Sequence, residues 1–132
     1  MKHFTVAEFV RSEKADKQAI DNRLPKELLP NVQALVDNVL DPLREAYGKP
    51  ITVTSGYRCP ALNKAVGGSA TSQHISGQAA DITAGNRKEN KRLFYLIQEL
   101  GLPFDQLIDE KNFSWVHVSY REGVNRNQVL AL

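Results

Sequence analysis

An α+β fold, with a small antiparallel sheet and helices packed on one of its faces, is predicted by three features of the sequence. Leu28, Leu29, Val32, Leu35, Val36, Val39, Leu40 and Leu43 recur at three- and four-residue steps, the spacing of one broad helical face. Two short β-branched or alternating runs, 51–55 and 79–83, are separated by a Gly/Ser/Asn-rich stretch. Two further strand-like runs, 106–110 and 115–120, are joined by only four residues, which argues a hairpin. The order helices, strand, loop, strand, helix, hairpin fits one layer of helices on one sheet. With 132 residues the chain fits a single domain spanning 1–132, large enough to bury roughly two thirds of its unfolded surface without disulfides.

Each element has a local reason. Residues 6–14 read as a short helix, with Thr5 as N-cap and Glu8 three residues later completing a capping box. Residues 21–25 form a loop, and Pro25 suits the first position of a long helix reaching about Tyr47. Pro42 lies inside that apolar pattern and predicts a kink or break near Leu40. Gly48-Lys49-Pro50 ends the helix. Residues 56–77 read as one long loop, a type that in a compact domain is usually functional. Residues 86–100 form a helix that buries Leu93, Phe94, Leu96, Ile97 and Leu100, with Gly101 just past its end.

Composition removes several function classes. The chain is 42% hydrophobic and 24% charged with a formal net charge of +2, and its basic residues form no stripe, so nucleic acid is not an expected partner. No run reaches transmembrane length, so no membrane partner is expected, and the chain is read as a monomer. The first residues lack the apolar core of a signal peptide, so the chain reads as cytoplasmic when synthesised. Cys59 is the sole cysteine and reads as a small buried hydrophobe, and His3 as an ordinary surface histidine.

The chemistry concentrates in two segments. Ser72-Gln73-His74-Ile75-Ser76-Gly77-Gln78-Ala79-Ala80-Asp81 offers an imidazole and a carboxylate among small residues, and Trp115-Val116-His117-Val118-Ser119 offers a second imidazole. Strand alternation puts Val116 and Val118 on the core face and His117 on the other. Two histidines and one carboxylate, with a position left open, are the donor set of a catalytic zinc site. Spacing alone leaves open whether the three converge or serve as ordinary polar side chains.

Ser55-Gly56-Tyr57-Arg58, Asn63, Gly67-Gly68, the S-x-H-x-x-G-x-A-x-D segment and W-V-H-V-S together resemble the zinc D-Ala-D-Ala carboxypeptidase family. That family is related to vancomycin-resistance dipeptidases, phage L-alanyl-D-glutamate endolysins and the hedgehog signalling domain. The resemblance runs from about Leu24 to Tyr120 and implies the same fold. It implies one Zn²⁺ held by His74, Asp81 and His117 with water in the fourth position. It also implies that Arg58 binds a substrate carboxylate and that Ser72 helps hold the substrate. A loop arginine and a turn-forming serine remain the plain alternatives for Arg58 and Ser72. Tyr57 and Asn63 are read as ordering the loop, and Gly77 as allowing a tight turn between the ligands. Ala79 either leaves room for the metal or packs inside the sheet.

One departure concerns the general base. Many relatives carry glutamate three residues before the last histidine, where this chain has Ser114; others carry histidine two residues before it, where this chain has Trp115. Asp109 and Glu110 are the nearest carboxylates. If Glu110 pairs with Trp115, Ile108 falls opposite His117, which turns Glu110 to the metal side and Asp109 to the valine side. Glu110 is therefore the expected base, and a one-residue bulge would make it Asp109. The function implied is a zinc metallopeptidase cleaving peptidoglycan stem peptides, as a carboxypeptidase or a phage-type endopeptidase. A phage-encoded chain would reach the wall on lysis or in a virion. The alternative is a non-catalytic, zinc-stabilised module that binds cell wall or protein.

Overall fold

The structure is a computed structural model describing residues 1–132. Helix α1 (Val6–Val10) begins with the expected capping box: Glu8 N–H donates to Thr5 Oγ1, and Thr5 N–H donates to Glu8 Oε2 at 2.6 Å. It stops four residues early, because Ser12 caps a separate helix α2 (Glu13–Lys17) by accepting from Ala15 N–H. The long apolar helix is also segmented. Pro25 precedes a 3₁₀ turn (Lys26–Leu28), followed by α3 (Leu29–Leu35), a π-helical turn (Val36–Leu40) and α4 (Asp41–Tyr47). The π turn lies directly before Pro42, which has no N–H to continue the ladder. Asp41 N–H instead reaches back five residues to Val36 O, so the predicted break is taken up as a widened turn.

Strand β1 (Thr52–Ser55) leads to α5 (Pro60–Ala65), which lies inside the stretch read from sequence as continuous loop. Cys59 Sγ accepts from Leu62 N–H at this helix's start, and Pro60 occupies its first turn, so Cys59 serves as a cap and is only half-buried. Then follow β2 (Ala79–Thr83), α6 (Arg87–Glu99), β3 (Gln106–Glu110), β4 (Trp115–Ser119) and β5 (Gln128–Ala131). Asn86 caps α6 by accepting from Glu89 N–H, and Gly101 takes a positive φ of 66° past its end.

The sheet order is β1-β2-β4-β3-β5. Its first four strands pair antiparallel as expected, but β5 pairs parallel to β3, so the sheet is mixed rather than wholly antiparallel. Ala80, Ile82, Leu107, Val116 and Val118 face a core completed by Val32, Leu35, Val36, Val39, Leu40 and Leu43 of the segmented helix and by Leu93, Phe94 and Ile97 of α6. Alternation sends Asp81, His117 and Ile108 to the other face. There they form one row, because Asp81 pairs with His117 and His117 with Ile108. Buried Asn90 of α6 steadies the hairpin by donating to Phe113 O and Ser114 O while accepting from Ala84 N–H. His3 lies beside Glu45 on the outer side of α4 and lines no part of the cleft. No helix is long and apolar enough to cross a membrane.

Candidate metal centre

His74 is brought to the row by the turn preceding β2. Gly77, with φ of 73°, reverses the chain between His74 and the strand, and a side chain there would press on Val32 Cγ2 at 3.1 Å. His74 is 1% exposed. Its Nδ1 lies 2.6 Å from Gly56 O, and since a carbonyl only accepts, Nδ1 carries the proton. Nε2 is then a bare lone pair. It is buried without a hydrogen-bond partner and lies 3.3 Å from Asp81 Oδ1, itself an acceptor. His117 Nδ1 lies 3.0 Å from the same oxygen.

Two atoms each about 2.0–2.1 Å from a tetrahedral zinc ion are roughly 3.3 Å apart. The observed separations of 3.3 and 3.0 Å match that spacing, and all three donor atoms lie within 4.8 Å of one another. A cation between them resolves the clash of lone pairs at His74 Nε2. His74, Asp81 and His117 therefore fit the group. Burial works to raise the Asp81 carboxyl, but its contacts with His117 and His74 outweigh it and hold the group ionised, well below the usual carboxylate range.

The triad sits on the floor of a cleft of about 610 Å³. Arg58 and the 66–74 segment form one wall, and Gln106, Ile108, Glu110, Trp115 and Arg126 the other. The hairpin pairs Glu110 with Trp115 and Ile108 with His117, without a bulge. Glu110 accordingly faces the cleft half-buried; burial and then the nearby Asp81 charge push its carboxyl up. Asp109 is committed elsewhere, accepting from Phe113 N–H at 2.6 Å to close the hairpin turn. Ser114 is also engaged in that turn, its hydroxyl donating to Lys111 O. Arg58 is half-buried with its Nε–H unpartnered; burial lowers its pKa, with Asp81 opposing, and a guanidinium stays charged. Ser72 lines the cleft and makes the turn bond as well, its Oγ accepting from His74 N–H.

Against known families, a family model for Peptidase M15 matches residues 2–119. The chain belongs to the peptidase M15 family. Among curated proteins, the zinc D-Ala-D-Ala carboxypeptidase of Streptomyces albus G is 47% identical over 49 residues, which are 36% of this chain and 19% of that relative. Asn63 orders the loop in this M15 chain, its Nδ2 donating to Ser69 O; Tyr57 is buried, and its backbone carbonyl accepts from Asn22 Nδ2. Ala79 is fully buried, which makes it a packing residue of the sheet.

Two features of this M15 site have roles that the sequence does not assign. The first is Gly56, whose carbonyl fixes the His74 tautomer from 18 residues away. A Cβ at Gly56 would stand 2.7 Å from Phe9 Cα and Phe9 O, both backbone atoms of α1. Gly56→Ala is therefore expected to lower the thermal midpoint, at a cost of about 1–3 kcal/mol. By displacing that carbonyl it also weakens zinc affinity by about 10–100-fold, measured by competition with a chelating dye. The second is Asp105, fully buried beneath Arg126, which donates to it through Nε at 3.0 Å and Nη2 at 2.7 Å. Those bonds hold its carboxyl down at about 2. A depressed carboxylate contributes stability that is present above its unfolded value near 4 and is lost as pH falls toward 2. Melts at pH 6 and pH 2.5 are expected to differ by roughly 2 kcal/mol less in Asp105→Asn than in the parent.

Proposed function

We propose that this chain is a zinc-dependent peptidase that hydrolyses peptide bonds in peptidoglycan stem peptides. The observation that carries the reading is the buried, unpartnered His74 Nε2, facing Asp81 and His117 at zinc-ligand spacing on the floor of a cleft. M15 family membership and the named activity of the Streptomyces relative support the substrate class. When bound, zinc supplies a Lewis acid that polarises the scissile carbonyl and makes water acidic enough to serve as nucleophile near neutral pH.

The chain's own residues do the rest. Glu110 takes the proton from the attacking water and returns it to the leaving amine; a carboxyl raised by burial is suited to both transfers. Arg58, which lines the same cleft, offers its guanidinium to a substrate carboxylate, which orients the bond to be cut. Ser72 contributes a hydroxyl on the Arg58 side. Gly56 keeps His74 in the tautomer that presents Nε2.

The test is incubation of zinc-loaded protein with purified peptidoglycan, followed by mass spectrometry of the released fragments. Free D-alanine marks carboxypeptidase action, and a new internal amine marks endopeptidase action. Either product upholds the reading. Intact stem peptides, with one zinc bound per chain, would replace it with the zinc-stabilised binding module.

A further inference from the structure

The cleft holds a second arginine that the resemblance does not assign. Arg126 lies just before β5, on the wall opposite Arg58. Arg58 follows β1 at one edge of the sheet, β5 forms the other edge, and the triad lies between them on β2, β4 and the turn before β2. Two strand spacings of about 4.8 Å separate β4 from β5, which an extended peptide covers in about three residues.

The Arg126 guanidinium is held ready for a ligand. Fully buried Asp105 accepts from its Nε and Nη2 and also from its backbone N–H at 2.9 Å, fixing the plane of the group. Of five N–H donors, the two on Nη1 and one on Nη2 remain free. The side chain is 49% exposed. Asp105 is approached by Arg121 Nη2 as well, at 3.3 Å, so one carboxylate serves two guanidiniums and the cluster keeps one positive charge in excess. An arginine needed only to neutralise Asp105 would not leave that surplus on the cleft.

We propose that Arg126 is a specificity-determining residue, binding a free carboxylate on the acyl part of the substrate while Arg58 binds one on the leaving part. The preferred substrate is then a peptide with an anionic group on each side of the scissile bond. The one on the acyl side lies about three residues from that bond. This rests on the peptidase reading for the placement of the scissile bond, but it is testable without turnover.

The experiment uses zinc-loaded protein and two synthetic peptides with free C-termini. They differ only in a carboxylate or a carboxamide on the third residue N-terminal to the scissile bond. Binding is followed by the fluorescence of Trp115, the sole tryptophan and part of the cleft wall. The carboxylate peptide is expected to bind the parent on the order of tenfold more tightly. Arg126→Gln brings the ratio close to one, and Arg126→Lys restores part of it. Equal affinities in the parent, a preference surviving in Arg126→Gln, or no binding of either peptide would overturn the proposal. The parent comparison and Arg126→Lys decide the matter if Arg126→Gln fails to fold. Selective binding without cleavage would count against the peptidase reading alone; cleavage without selectivity would count against Arg126 alone.

Discussion

Asp81→Asn is expected to yield a folded protein that loses most of its zinc affinity and, with it, cleavage of stem peptides. The substitution keeps the side chain's shape but removes its charge, and Asp81 Oδ1 is the atom that both imidazoles approach, at 3.3 and 3.0 Å. A neutral amide leaves two imidazoles to hold the ion, and zinc affinity is expected to fall by at least about 10³-fold, with activity falling in step. The fold survives because Asp81 points away from the core, while its neighbours Ala80 and Ile82 are fully buried. Two measurements check this: metal content by elemental analysis, and thermal melting with and without added zinc. The parent is expected to gain about 4 kcal/mol from zinc at a thousandfold over its dissociation constant, and the variant at most about 0.4 kcal/mol at the same zinc concentration.

Glu110→Gln is expected to behave differently. It keeps one zinc per chain and loses about 10²–10⁴-fold in kcat, because an amide cannot take the proton from water or hand it to the leaving amine. Asp109→Asn is the matched control. Its carboxylate accepts from Phe113 N–H inside the hairpin turn, so it is expected to cost about 1 kcal/mol of stability and leave kcat within a few-fold. Steady-state kinetics on one stem peptide, with zinc content measured on the same samples, separates the two. Were Asp109→Asn the variant that lost kcat, the assignment of the base would move with it.

The register of the hairpin makes the cleft-facing position of Glu110 legible in the sequence. Alternation of the valines fixes the face of His117, and a four-residue connection fixes which residues pair. The capping box at Thr5 and the disturbance before Pro42 are legible for the same reason, since each is written in residues a few positions apart. Features set by distant partners are not. Strand β5 forms by parallel pairing with β3, from Gln106 with Gln128 to Asp109 with Ala131, and a four-residue run near the end of the chain gives little sign of it alone. Helix α5 is six residues long, and its cap is a cysteine, which rarely plays that part. The carbonyl that orients His74 belongs to a glycine with no side chain to advertise a role, and Asp105 meets Arg126 across 21 residues.

The direct test of the metal centre is a titration. Chelated protein is restored with zinc while stem-peptide cleavage is followed. Activity should be absent without zinc, rise linearly and level off at one equivalent per chain. Full activity in the chelated protein, or a break at any other stoichiometry, would contradict a single zinc ion held by His74, Asp81 and His117 as the centre of the reaction.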